Sequence, residues 1–376
     1  MKKQFGALSL SILLLAGCGG QAAPAATPPP ASASPALTSA PAKPAASAPA
    51  SAKPAVSASA AGSAQAAAGG QAAPASKLIV SYGELVPQSV PEFVTQDAGI
   101  FKQNGLNVDL RLIVSSAEIA ALVAGDTQIA SSGGPIVLSA VAAGADLEVT
   151  AAIAGLSPFA LYTVPSVKTI ADLKGKNVGI SRAGSPSDIA MRMALRKNGI
   201  NPDKDVRFVE LGSTQARTAA LVQGTIQGGM ANPLEANTLT KAGLHVVYDA
   251  TKDKQPSAQS VVVAKRDWVA AHRDLMQRFI DALAQGMVRT RSDKAFALAT
   301  MKKWFKSDNA QLMGSVYDAY TSSGLWPRIP YATPEMFADA KEVIGATVPK
   351  MKDYDVSNLI DSSFVKSADD RGLTKG

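Results

Sequence analysis

The sequence predicts an α/β protein whose folded part consists of two similar lobes of mixed sheet flanked by helices, followed by a helical C-terminal region. Three observations carry this. Strand-like and helix-like stretches alternate from Lys77 to Ala154, the pattern that lays parallel strands under covering helices. Residues 121–128 (ALVAGDTQ) are echoed by residues 220–227 (ALVQGTIQ), and each echo runs on into a strand and a proline-started helix, which points to an internal duplication. After Lys265 the chain turns to amphipathic helical patterns, with Leu275, Phe279, Leu283 and Met287 at near fourfold spacing; such a stripe is core, and it is expected to pack on the first lobe.

Residues 1–18 carry Lys2 and Lys3, an apolar run over residues 5–15, and then Leu15, Ala16, Gly17 and Cys18. The run is short for a bilayer span, and the small residues before the cysteine match a bacterial lipobox. The expectation is a lipoprotein signal peptide whose cleavage leaves Cys18 as the lipidated N-terminus; the alternative is a plain export signal with an incidental cysteine. No other cysteine occurs, so intrachain disulfides, thiolate metal clusters and a cysteine nucleophile are excluded downstream. Residues 19–76 are nearly all Ala, Pro, Ser, Gly and Thr, too poor in large apolar side chains to fold. They predict a disordered tether reaching roughly 40 Å as a flexible coil. The formal charge is +7, but the four lysines of residues 1–76 meet no acid there and leave only +3 for the rest. That is little support for nucleic-acid binding.

In the folded part, the first lobe is expected over residues 77–163, the second over 164–255, and a return to the first lobe with the C-terminal helices over 256–376. Residues 77–82 (KLIVSY) predict a strand, followed by a turn-rich stretch and a helix from Ser89 that ends at a glycine. A strand over 107–113, a helix over 116–124, a strand over 128–131, a helix from Pro135 and a strand over 147–154 follow. The second lobe is organised around residues 172–197 (DLKGKNVGISRAGSPSDIAMRMALRK). There a strand over 177–181 meets a small-residue loop and a helix opened by Ser185 as cap and Pro186 as first residue. Backbone N–H groups at that helix start would suit a small anion. A returning strand is read at 261–264, and helices at 267–290, 293–305, 309–322 and 333–346.

The chemistry is expected in the loops. Gly134 before Pro135, Ser185 before Pro186 and Asn232 before Pro233 each start a helix after a strand, and Glu235 stands where a capping-box acid belongs. Any one of these is also simply a well-formed helix start. Together they lie beyond the carboxyl ends of strands, where open α/β sheets bind ligands. Ser132, Gly133 and Gly134 would let a ligand approach the backbone. Arg182, the one cation of its loop, would grip a carboxylate, sulfonate or phosphate through two hydrogen bonds, unless it simply faces solvent. Glu84 would bind a ligand amine instead, unless it too faces solvent, and Tyr82 and Phe159 would line the pocket or take core or strand-face positions. His245 and His272 are the only histidines and have no ligand spacing, so no metal is expected. Neither a G-x-S-x-G elbow nor a phosphate-binding P-loop is present. No catalytic residue, cofactor or enzymatic activity is expected.

Residues 97–110 (DAGIFKQNGLNVDL), 120–146, 172–197 and 214–243, with Asp361, Ser362, Ser363, Phe364 and Gly372 near the end, resemble the solute-binding proteins of bacterial ABC transporters. The likeness is to the nitrate, sulfonate, taurine and thiamine-pyrimidine-precursor binding group. It implies the type II periplasmic-binding-protein fold, with a ligand enclosed between the lobes. The implied pocket takes Tyr82, Gly83 and Glu84 from the first loop, Ser132, Gly133 and Gly134 from the second, Arg182, Gly184, Ser185 and Ser187 from the third, and Asn232 and Glu235 from the fourth. The implied protein is a monomeric receptor, periplasmic or at the cell surface and lipid-anchored through Cys18. It captures a small polar, anionic organic molecule for an ABC permease. Two alternatives share the fold: a ligand-sensing or ligand-presenting subunit of a surface receptor complex, and an enzyme like the thiamine-pyrimidine synthases. The chain departs from the latter in lacking a cysteine-rich segment and a histidine in any pocket loop.

Overall fold

The computed structural model describes residues 76–114 and 117–375. The expected signal peptide, Cys18 and, but for Ser76, the expected tether lie outside them, as does the helix start read at Ser116. The chain opens with β1 (Ser76–Tyr82), α1 (Val90–Asp97), α2 (Ile100–Gln103), β2 (Leu106–Leu112), α3 (Ala117–Ala124), β3 (Ile129–Ser132), α4 (Gly134–Ala142) and β4 (Leu147–Leu156). It crosses over into β5 (Ala160–Thr163), β6 (Asn177–Ile180), α5 (Pro186–Lys197), β7 (Arg207–Glu210), α6 (Thr214–Val222), β8 (Gly228–Ala231), α7 (Pro233–Lys241) and β9 (His245–Asp249). A second crossover returns it through β10 (Pro256–Lys265) to α8 (Arg266–Ala271), α9 (Arg273–Ser292), α10 (Lys294–Phe305), α11 (Ala310–Ser322), α12 (Ala338–Thr347) and α13 (Ser363–Asp370).

Two five-stranded sheets result, ordered β2-β1-β3-β10-β4 and β7-β6-β8-β5-β9. In each, three strands run parallel and the last two alternate direction. The fourth strand of each sheet is the one that arrives by crossover. The second sheet therefore begins at Ala160, a strand earlier than the expected boundary at 164, because β5 pairs with β8 and β9 and not with β4. The two echoes occupy equivalent places, the turns from α3 into β3 and from α6 into β8. Gln128 Oε1 accepts from Ile79 N at 2.9 Å and Gln227 Oε1 accepts from Asn177 N at 3.1 Å. The same glutamine thus ties β1 in the first lobe and β6 in the second. Gly125 and Gly224 supply the left-handed residue that ends each helix (φ +88° and +71°).

The first core lies under β1, β2, β4 and β10, where Met276, Phe279, Ile280, Leu283 and Met287 of α9 pack; the predicted stripe does what its spacing implies, with Leu275 at its edge. Two helices are interrupted where the sequence reads them as continuous. His272 leaves helical geometry (φ −132°, ψ 39°) and divides residues 266–292 into α8 and α9. Gly99, left-handed at φ +69°, separates α1 from α2. Among the described residues, no helix is long and apolar enough to cross a membrane.

Candidate functional site

The carboxyl ends of β1 and β3 in the first lobe face those of β6 and β7 in the second, and a cavity of about 80 Å³ lies between them. Two helix N-termini meet across it. A Cβ on Gly133, the cap of α4, would lie 2.7 Å from Cγ of Pro186, the first residue of α5. Of the residues expected to bind ligand, Gly83, Glu84, Ser132, Gly133, Arg182, Ser185 and Ser187 line this cavity.

The others do not, for identifiable reasons. Tyr82 points from β1 into the first lobe, edge-on to Phe93 (5.2 Å between ring centroids) and to Trp304 (6.3 Å). Gly134 is a packing glycine: a Cβ there would collide with Ala258 and lie 2.8 Å from Phe337. Gly184 is a turn residue at φ +71° whose N–H is given to Asp188 Oδ2 at 2.8 Å. Asn232 and Glu235 form the capping box of α7, with Asn232 Oδ1 accepting from Leu234 N and Glu235 Oε2 from Asn232 N, each at 2.9 Å.

The α5 start also differs from the expected anion cradle. Ala183 N donates to Glu210 Oε1 (3.1 Å), Gly184 N to Asp188, Asp188 N to Ser185 Oγ (3.3 Å) and Ser181 N to Ser187 Oγ (3.0 Å). These four donors are taken by Glu210 of β7, by Asp188 and by the Ser185 and Ser187 hydroxyls, so a full positive charge for an anion must come from side chains. The cavity holds two guanidinium groups. Arg182 lies half-buried with Nη2 enclosed and without a hydrogen-bond partner. Arg217 of α6 is fully buried; its Nε donates to Met230 O (2.6 Å), Nη1 to Ser181 Oγ (2.8 Å) and Nη2 to Thr214 Oγ1 (3.4 Å).

Opposite them stand two carboxyls. Glu118 of α3 is buried at 1% exposure, accepts from Ser132 Oγ at 2.5 Å through Oε1, and leaves Oε2 without a partner. Burial raises its pKa to about 8 against the opposing Ser132 hydrogen bond and Arg182 charge. Glu118 also explains Gly83, since a Cβ there would lie 2.5 Å from Oε2. Glu84 is raised by burial, with Arg217 and then Arg182 pulling it down. Behind the wall, Glu235 is pushed to about 7 by burial, opposed by the Asn232 N–H and by Arg217. Behind Ser131, Glu92 is likewise pushed to about 7 by burial and accepts from that hydroxyl at 2.5 Å. Among the described residues, none of Glu84, Glu118, Arg182 and Arg217 is ion-paired with another.

Glu118 and Arg217 escape the sequence reading because each sits inside a helix and not in a loop. A signal was present: each is four residues before a fully buried leucine, Leu122 or Leu221, which puts a charge on an apolar helix face. Gln88, Gln259 and Ser260 also line the cavity without having been singled out, whereas Phe159 lines it as one of its two expected roles. Among the described residues, no group of three or more His, Cys, Asp or Glu is placed to hold a metal.

A family model described as "NMT1/THI5 like" matches residues 86–293. The protein named "Putative aliphatic sulfonates-binding protein" of Escherichia coli (strain K12) is 28% identical over 190 residues, which cover 49% of this chain and 58% of that protein. The crystal structure of the periplasmic aliphatic sulphonate binding protein SsuA from Escherichia coli superposes with a TM-score of 0.61 at 20% identity, covering 73% of this chain and 94% of that one. The desulfurization enzyme DszB superposes with a TM-score of 0.58 at 15% identity, over 78% of this chain and 99% of that one. At such identities the two structures establish the fold, a two-lobed periplasmic-binding-protein fold.

Proposed function

Because the chain belongs to the NMT1/THI5-like family, we propose that it is an extracytoplasmic solute-binding protein. It takes a small polar, anionic organic molecule into the interlobe cavity and delivers it to an ABC permease. The observation that carries this reading is the unpartnered Arg182 Nη2 beside the buried Arg217, both lining the cavity. An enclosed guanidinium N–H without an acceptor is costly, and an anion between the lobes would satisfy it. The relatives support the same class, since the curated Escherichia coli protein carries aliphatic sulfonates in its name. The anchor through Cys18 belongs to the same proposal: it would hold the receptor at the membrane that contains its permease.

A ligand that contacts both lobes favours their closed arrangement by its differential affinity for that state. Thermal melting of the full chain in detergent, against a panel of sulfonates, carboxylates, nitrate and pyrimidines, tests the reading. A rise in Tm with at least one anionic organic compound is expected; no shift with any would end it. Ligand-stimulated ATP hydrolysis by a permease in reconstituted membranes separates delivery from a purely sensory role.

A further inference from the structure

The two lobes are charge-inverted copies of each other around the cavity. The glutamine pairings of Ile79 and Asn177 and the strand registers Val80↔Ile129 and Val178↔Gly228 fix how the lobes correspond. In that correspondence Glu84 falls on Arg182, each the fourth residue after Val80 or Val178. Glu118 falls on Arg217, each four residues before the echoed leucine. All four side chains line one cavity. The first lobe therefore presents two carboxyls where the second presents two guanidinium groups. The supporting contacts correspond as well, since Gly83 packs on Glu118 where Ser181 accepts from Arg217.

The walls also leave one unsatisfied polar atom of each kind. Glu118 Oε2 and Arg182 Nη2 are both enclosed without a partner and do not bond each other. A plain anion would satisfy the arginine wall and bring no donor to the unpartnered Oε2 of the carboxyl wall. We infer that the ligand is a zwitterion, an organic acid carrying a protonated nitrogen a few bonds away, with its acid end on Arg182 and Arg217 and its nitrogen on Glu84 and Glu118.

This rests on the proposed solute-binding role and narrows its ligand. Isothermal titration of the full chain at pH 7.5 with two matched pairs tests it: 3-aminopropanesulfonate against propanesulfonate, and 4-aminobutanoate against butanoate. The amino member of at least one pair is expected to bind tenfold or more tightly than its counterpart, and Glu118→Gln is expected to bring that ratio within about threefold. Equal or tighter binding of the plain acids overturns the zwitterion and leaves the anion-receptor reading standing. Binding of none of the four overturns both as stated.

Should Glu118→Gln fail to fold, the wild-type protein still decides by pH. Glu118 faces Arg182 from the β6–α5 loop, Glu84 from the β1 loop, Glu92 of α1 and the Ser132 hydroxyl. As its ionised partner, the amino compound should gain affinity over the plain acid between pH 6 and 8. If Glu118 instead donates its proton to an anion, the amino compound loses affinity over that range in step with the plain acid, and the zwitterion is overturned.

Discussion

Arg217 and Arg182 carry the same charge into the same cavity but should fail differently when removed. Arg217 is completely buried, where it donates to Met230 O, Ser181 Oγ and Thr214 Oγ1 and opposes the burial that raises Glu84 and Glu235. Arg217→Met would strip the buried Met230 O and Ser181 Oγ of their donor, a loss of about 1–3 kcal/mol for each orphaned group. Urea denaturation should show it, and denaturation within 1 kcal/mol of wild type would mean the guanidinium is not part of the folded framework. Arg182 has little comparable work in the fold, its Nη2 being unpartnered. Arg182→Ala should leave the melting temperature of the free protein nearly unchanged while weakening an anionic ligand by about 1–3 kcal/mol. Unchanged affinity would return it to an ordinary loop arginine.

At the scale of elements, the helix starts with proline divide by what their neighbours demand. Gly134 opens α4 where that helix crosses β10, and the space a methyl group would need is filled by Ala258 and Phe337. Gly134→Ala should cost about 1–3 kcal/mol by overpacking, measurable as a lowered urea midpoint with unchanged slope. A neutral result would contradict the close approach of Gly134 to Ala258 of β10. The sequence revealed the strand-helix alternation, the echo and the α9 stripe because each is periodic, and periodicity survives without knowledge of partners. It did not reveal which capped helix starts reach the cavity: Asn232 with Glu235 and Ser185 with Asp188 look alike on paper, yet only Ser185 lies on the cavity wall. Glu118 and Arg217 were hidden for a related reason, since a charge within a helix is read as solvated until the sheet on its other side is placed.

For the molecule as a whole, the concentration of buried carboxyls sets a pH response. Glu92 and Glu235 at about 7 and Glu118 at about 8 keep their protons in the folded state well above their ordinary value of 4.5. Between pH 4.5 and 7 or 8 the folded chain therefore binds protons that the unfolded chain releases, and stability falls as the pH rises through that window. Glu92 alone accounts for about 3 kcal/mol. Acids held low, such as Asp109 and Asp253, lose their contribution only below about pH 4. The free protein should melt higher at pH 5 than at pH 8, and Glu92→Gln should flatten the difference; a melting temperature that rises from pH 5 to 8 would contradict the buried-acid account.

The double crossover has a further consequence in time. Because β10 is the fourth strand of the first sheet and lies between β3 and β4, a ribosome must finish residue 265 before that sheet can close, although β1 to β4 are complete by residue 156. The α9 stripe that covers it follows later still. Non-local pairing of this kind is slow to form, so the second sheet, whose five strands are all made by residue 249, can close while the first, begun earlier, still waits for β10.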